Sequence, residues 1–519
     1  MTFAATAQPE TRPRLHAPAT LRRLEEETVS SPLRLPMHDA AQDRLLTSEA
    51  PWETLLGWLA NAAPAMTDYR TSRIRALLAQ CIADIDDRIE RQLNEILHHP
   101  QLQALEASWR GLHYLAEQMD GADTRRRLKI RVLNVSWSSV CKDLEKAIEF
   151  DQSVLFRKIY SDEFDTPGGE PFGILLGDYQ LSHRPRPEQR TRDLDNLQNL
   201  SQIAAAAFAP FITSAHPSLF GLDSYRELSP RLNLAEIFKT PEYLGFNRLR
   251  NQEDLRFVGL TLPRVLMRRP YTEAQTRHHR LRFREQWGGN PDFALWGNAV
   301  YAFGATVLRA YAQHGWFANI RGSQRNLICG GLVTDLPAQS LPGDQRGLIS
   351  QAPVENLISE RLEKELAELG LLALCSTQDS RHLVFYGNPS LHRPPRYNHQ
   401  EATANANLSS MLQYTLCVSR FAHYLKVIGR DKVGAFISAQ ECERFLQNWI
   451  LEYATANDSA DQEMKAKRPL REARIDVKEM PGQPGHYLCQ AHLKPHFQLD
   501  QLNSSLRLVT EIAPPRHGG

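Results

Sequence analysis

The stretch 162–182, DEFDTPGGEPFGILLGDYQLS, constrains the fold more than any other part of the chain. Phe172, Ile174, Leu175 and Leu176 form a short apolar run of the kind that makes a buried strand. Upstream, Thr166-Pro167-Gly168-Gly169 is a sequence no regular element crosses. Downstream, Gly177-Asp178 closes the run. A strand that is apolar on both faces is expected in the middle of a sheet, with helices covering it. The apolar spacing predicts those helices on either side, over 140–164 and 193–207.

The neighbouring segments extend the same grammar. Leu128, Ile130 and Val132 alternate as a strand, and Ser138 is placed to cap a helix carrying Val140, Leu144, Ala147 and Ile148. Leu194, Leu197, Leu200 and Ile203 share a helix face, and a short strand follows near 211–213. Strand and helix in alternation read as a helix-covered sheet, so the expected class is mixed α/β. Before it, residues 52–119 are helical, and Leu102, Leu105, Trp109, Leu112 and Leu115 fall on one stripe, with Trp109 read as a core residue. After it, 215–300 reads as irregular, with 259–271 an extended segment punctuated by Pro263 and Pro270. Helices are expected from Trp296, over 401–427 and over 439–453.

The C-terminus changes period. Ile475 and Val477 alternate with charged residues, and Tyr487, Cys489, Ala491 and Leu493 alternate again beyond a Pro-Gly turn. Leu506, Leu508 and Thr510 alternate once more. A hairpin plus a further strand is expected, each with one wet face, and such a terminal sheet offers edges to another chain. The other end is an arm. Pro9, Pro13, Pro18, Pro32, Pro36 and Pro51 interrupt it; Leu21 and Leu24 mark a short helix, and Leu33 and Leu35 lie in an extended segment, 31–36. The layout expected is an arm over 1–50, helices over 51–125, an α/β middle with an irregular insert over 126–400, and helices plus a small sheet over 401–519.

Composition excludes several roles. With 61 Lys and Arg against 60 Asp and Glu, the formal net charge of +1 gives no nucleic-acid signal. Arg125-Arg126-Arg127 and Arg280, Arg282 and Arg284 are read as solvated faces. Seven cysteines without a CxxC indicate buried free thiols rather than a disulfide framework or a zinc knuckle. No apolar leader and no apolar run of about 18 residues are visible, so a cytoplasmic location without membrane insertion is expected. There is no GxxxxGK[ST] loop, no GxSxG elbow and no HExxH, and His98-His99 sits at a helix end with the two side chains pointing apart. Neither enzyme activity, metal nor cofactor is expected; the competing reading is a hydrolase using Asp178 and His183.

The segment GGEPFGILLGDYQLS resembles the large subunit of the bacterial type VI secretion contractile sheath, the TssC/VipB family. The likeness continues through QLNEILHHPQLQALEASWRGLHYL, RFVGLTLPRVLMRRPY, DFALWGNAVYAFGA, GWFANIRG, EATANANLSSMLQYTLCVSRFAHYLKVIGRDKVG, LQNWILEY and RPLREARIDV, from about Arg88 to Val509. Phe246 and Phe208 depart from the family pattern within packing types. The resemblance implies a phage-tail-sheath-like structural subunit of several domains. It implies pairing with a small sheath subunit and stacking with copies of itself in a six-fold helical lattice. An inner tube protein, a baseplate and an ATP-driven unfoldase are the further implied partners. It places inter-subunit strand linkage at Leu33, Leu35, Ile475, Val477, Tyr487 and Leu493, and unfoldase docking at Leu21 and Leu24.

Overall fold

The computed structural model describes Gly57 and residues 70–512, apart from 123–127, 188, 273–280, 282, 287–292, 324–326, 339–351, 377–381, 433–437, 458–459, 480–486 and 497–505. The chain divides into two compact units, residues 1–89 and 90–519. The main helices and strands begin with α1 (Thr71–Leu97), α2 (Pro100–Ala122), α3 (Trp137–Lys146), β1 (Leu175–Leu181), α4 (Asp193–Ala206) and β2 (Phe211–Ala215). Next come β3 (Val258–Leu262), β4 (Val265–Arg268), β5 (Leu295–Gly297), α5 (Val300–His314) and β6 (Leu332–Val333). Then follow α6 (Glu360–Glu368), β7 (Leu371–Ser376), β8 (Leu383–Phe385), α7 (Gln400–Ser409), α8 (Leu412–Lys432) and α9 (Ala439–Leu451). The last elements are β9 (Leu470–Glu479), β10 (Tyr487–Pro495) and β11 (Leu506–Ile512).

Six strands form one sheet in the order β1-β2-β3-β7-β8-β6. The first four are parallel, and β8 runs antiparallel to both β7 and β6. Side chains alternate faces along a strand, and each face has its own core. Val258, Leu260 and Leu262 of β3 and Leu371, Ala373 and Cys375 of β7 pack with Leu197, Leu200 and Ile203 of α4. Leu372 and Leu374 of β7 and Ile212 of β2 point the other way, to Val300, Phe303 and Val307 of α5 and Leu412 and Leu416 of α8. Gly259 sits at the centre of this second face. A Cβ there would meet Leu372 and Leu412 at 2.8 Å and Ile212 at 2.9 Å, so the glycine is what lets three side chains close over β3.

The opening stretch is placed differently from expectation. Its strand begins at Leu175, runs through Gly177-Asp178 to Leu181, and lies at the edge of the sheet rather than in its middle. Its apolar residues are accounted for by cover on both faces. Leu176 packs where Gly304 of α5 has no side chain, and the Tyr179 ring lies 5.1 Å from Trp137 of α3. The segment at Leu128, Ile130 and Val132 is not a strand. Side chains hold it instead: the Tyr179 hydroxyl donates to the Val135 carbonyl at 2.9 Å and Arg131 pairs with Glu170 at 3.1 Å.

Helix α3 is capped by Ser136, two residues before the expected Ser138, and ends at Lys146. Asp143 then accepts from the backbone N–H groups of Val154 and Leu155 and starts a second helical segment, leaving Ile148 on the surface. Trp109 is 66% exposed rather than buried. The inward face of α2 is Ala107, Gly111, Tyr114 and Leu115, and the Tyr301 ring of α5 lies directly over Gly111. The segment 259–271 holds the inner strand β3 and also β4, with Pro263 between them. The helix expected over 401–427 breaks at Ser410-Met411, because Ser390 N–H donates to the Ser410 carbonyl and Leu412 N–H to the Asn388 carbonyl.

Two histidines, the buried His423 and the half-buried His216, have no counter-charge beside them. Burial pushes His423 down to about 4, with its Nε2 2.9 Å from the Ala207 carbonyl, and His216 down to about 3. The unfolded chain protonates both near 6.5, so it binds more protons than the fold between pH about 6.5 and about 4. Stability should therefore fall as pH drops through that window. Urea midpoints at pH 7 and pH 5 should differ less in His423→Gln, which keeps a donor for Ala207 and cannot titrate; an unchanged difference would sink this assignment. At the sheet centre, Gly259→Ala should overpack the core and cost about 1–3 kcal/mol, seen as a lower urea midpoint with the slope unchanged.

Candidate functional site

The C-terminal strands form a separate antiparallel sheet in the order β11-β10-β9. One face is dry. Ile475 and Val477 of β9 and Cys489, Ala491 and Leu493 of β10 pack with Cys442, Leu446 and Ile450 of α9 and with Phe421 and Leu425 of α8. Trp316 stacks on Phe421 at 4.2 Å and meets Tyr453 at 5.0 Å, closing the end of this core. The other face is wet and charged: Asp476 lies 2.9 Å from Arg474 and 3.8 Å from His492, and Lys494 lies 3.5 Å from Glu472.

The two edges of this sheet are unlike. At β9, helix α9 takes the place of a strand. Gln447 donates its amide to the Ala473 carbonyl at 3.0 Å and accepts from Ile475 N–H at 2.8 Å. One turn earlier, Glu443 accepts from Val477 N–H at 2.9 Å. Three outward groups of β9, the Ala473 carbonyl and the Ile475 and Val477 N–H groups, are thus satisfied by side chains, which blunts an edge that would otherwise template pairing. At the opposite side, β11 pairs with β10 along Leu506–Ile512, and no strand pairs with its outer edge among the described residues.

The structure gives the expected linkage residues these places. Ile475 and Val477 lie on β9, beneath the helix-capped edge. Tyr487 and Leu493 lie on β10, where Tyr487 sits between Glu479 and Ile512 and Leu493 between Ala473 and Leu506. Both are on the inner strand, paired on its two sides within this chain. Leu21, Leu24, Leu33 and Leu35 lie outside the described residues. Gln447 and Glu443 were not singled out in the sequence; their signal there is a pair of acceptors at i and i+4 flanking the apolar stripe of α9.

Asp178 and His183 do not meet. Asp178 accepts from Ser108 and from Asn298, while His183 bonds Glu242 at 2.6 Å and stacks on Tyr243 at 4.4 Å. Each is engaged as a structural link between elements. His98, at the other histidine position weighed, bonds Glu285 at 3.3 Å and stacks on Phe293 at 4.4 Å. All seven cysteines are free thiols. Desolvation pushes Cys141, Cys375, Cys417 and Cys489 up to about 12, so they stay protonated and fill space as small apolar groups. Among the described residues no His, Cys, Asp and Glu cluster suits a metal ion, and no helix is long and apolar enough to cross a membrane.

A helix-covered core sheet is followed by a terminal sheet with one blunted edge and one edge that no strand pairs among the described residues. The family profile described as EvpB/VC_A0108, tail sheath N-terminal domain, matches residues 79–392, and that of its tail sheath gpW/gp25-like domain matches residues 401–512. The chain belongs to this VipB family of type VI secretion tail sheath proteins. It is 39% identical over 464 residues, 89% of this chain and 91% of the relative, to the type VI secretion system sheath protein TssC1 of Pseudomonas aeruginosa.

Removing the cap tests how the β9 edge is held. Gln447→Ala leaves a carbonyl and an N–H of β9 without a partner and should cost about 1–3 kcal/mol. Hydrogen exchange of the Ile475 amide should accelerate, while Cys489 on the inner strand stays protected. Unchanged exchange at Ile475 would show that the edge is held by something other than Gln447.

Proposed function

We propose that this chain is the large subunit of a type VI secretion contractile sheath. It pairs with a small sheath subunit, and the heterodimers stack with further copies as six-fold rings in a helical tube around an inner tube protein, on a baseplate. Contraction of that tube propels the inner tube and its effectors into a target cell. Family membership supports the sheath role. The one observation that carries the mode of assembly is the unequal edges of the C-terminal sheet: β9 is capped by Gln447 and Glu443, and β11 is unpaired.

An edge strand accepts another chain through main-chain hydrogen bonds, and pockets for alternate side chains set the register. Capping one edge directs that addition to the other. In this reading the extended segment holding Leu33 and Leu35 of a neighbouring subunit adds to the β11 side. The buried Ile475, Val477 and Leu493, with the half-buried Tyr487, are the footing that transmits load into α8 and α9. Main-chain pairing ties subunits together while each moves as a rigid body, which a contracting tube needs. Leu21 and Leu24 are the proposed grip for an ATP-driven unfoldase that recycles contracted tubes. The role is structural rather than enzymatic, needs no cofactor, and is carried out in the cytoplasm without nucleic acid or membrane insertion.

Negative-stain microscopy of the chain co-expressed with a small sheath subunit should show hollow tubes. Deleting residues 1–36 should abolish them while the heterodimer still co-purifies. Tubes that persist with wild-type morphology after the deletion would refute strand donation from the arm.

A further inference from the structure

A cleft of about 790 Å3 lies between the short helix Leu244–Arg250, the C-terminal end of α6, and the connection from β8 to α7. Its lining is cationic: Arg250, Arg321, Lys364, Arg393 and Arg396 stand with Glu363 and Glu368, and Lys239 is paired with Glu236 at 2.7 Å. The two carboxylates do not neutralise the deep end. Burial raises Glu363 despite the opposing Arg321 charge and Gly387 N–H, and Glu368 is an exposed residue that offers the cleft its backbone carbonyl.

Arg250 is the cation that needs explaining. It is 4% exposed. Its Nε donates to the Leu391 carbonyl at 3.1 Å and its Nη2 to the Glu368 carbonyl at 3.0 Å. Both acceptors are neutral, and Nη1 has no hydrogen bond among the described residues. Burial and the neighbouring Arg393 charge together lower Arg250 to about 10, so the fold strains against this cation rather than stabilising it. A buried charge is ordinarily paired.

Three further groups in the same lining are unsatisfied: the Asn388 amide oxygen, the Ser390 hydroxyl and Nε2 of His392. The Ser390 hydroxyl, on a residue 1% exposed, has no partner, and neither has Nε2 of His392, on a residue 4% exposed. His392 Nδ1 lies 2.8 Å from the Gln252 carbonyl. A carbonyl only accepts, so Nδ1 carries the proton and Nε2 is left as an acceptor. The cleft therefore presents a free guanidinium edge, a second arginine, a hydroxyl and two acceptors, the imidazole nitrogen and the Asn388 amide oxygen. Hydrogen phosphate and phosphate monoesters match that set: charged oxygens for the arginines and the serine, and an O–H for the imidazole.

We propose that this cleft binds an oxyanion of the phosphate class, held by Arg250, Arg393, Ser390 and His392. The binding is a property of the folded subunit and does not depend on how subunits assemble. The cleft volume falls in the range of about 300–1,000 Å3 usual for small-molecule sites, so a monoester larger than phosphate itself fits. Bound there, the anion ties the end of the short helix Leu244–Arg250 to the connection between β8 and α7.

Isothermal titration of the purified full-length chain with inorganic phosphate at pH 7, at constant ionic strength set by chloride, tests this. Saturable one-site binding is expected. Arg393 is exposed, so Arg393→Gln should keep the circular dichroism of the wild type and weaken binding at least tenfold; Ser390→Ala should weaken it by a smaller factor. Absence of saturable heat in the wild-type chain, or an equal affinity in Arg393→Gln, would overturn the proposal.

Discussion

The structure depends on a sheet whose inner strands are apolar on both faces. Strands β2, β3 and β7 are mostly apolar, and their buried Thr213, Ser214 and Thr261 are satisfied within the sheet. Such strands fold only where helices cover both sides. That requirement fixes α4 on one face and α5 and α8 on the other. It also explains the small residues at the contacts. Gly259 admits Leu412 to the sheet, Gly304 admits Leu176 to α5, and Gly111 admits Tyr301 to α2. Each glycine marks a place where two elements approach closer than a side chain allows.

Helix α8 links this core to the terminal sheet. Its first turn, at Leu412 and Leu416, belongs to the core, while Phe421 and Leu425 further along belong to the C-terminal cluster. A load applied to β9–β11 thus reaches the six-stranded sheet through one continuous helix. The capped edge at β9 and the unpaired edge at β11 give the terminal sheet a direction. If assembly adds a strand at β11, as proposed above, side-chain partners from Gln447 and Glu443 keep the β9 edge from competing for it.

Much of this was legible in the sequence, and the exceptions share a cause. The alternation at Ile475, Val477, Cys489, Ala491 and Leu493 and the helical stripe of α9 are strong periodic signals, and both elements stand where they were expected. The opening apolar run was identified as a strand, but its position in the sheet was not. Periodicity reports burial of faces and not the order of strands, and β1 is an edge strand with both faces covered. Strand β3 was hidden because Pro263 and Pro270 punctuate its surroundings, although Val258–Leu262 itself is unbroken. Trp109 misled because size suggests a core residue, whereas the face α2 turns inward is Ala107, Gly111, Tyr114 and Leu115. At the site, the strands were readable and the edges were not, since Gln447 and Glu443 act through backbone groups far away in sequence. The family resemblance was readable from many separate segments, and the matches over 79–392 and 401–512 bear it out.

The central claim is that assembly proceeds by strand addition at the outer edge of β11. Hydrogen exchange of the β11 backbone, compared between the unassembled heterodimer and the assembled tube, tests it most directly. The account predicts that alternate amides of Leu506–Ile512, those facing away from β10, become strongly protected on assembly, while the amides of β10 change little. Equal exchange of every β11 amide in the two states would contradict it.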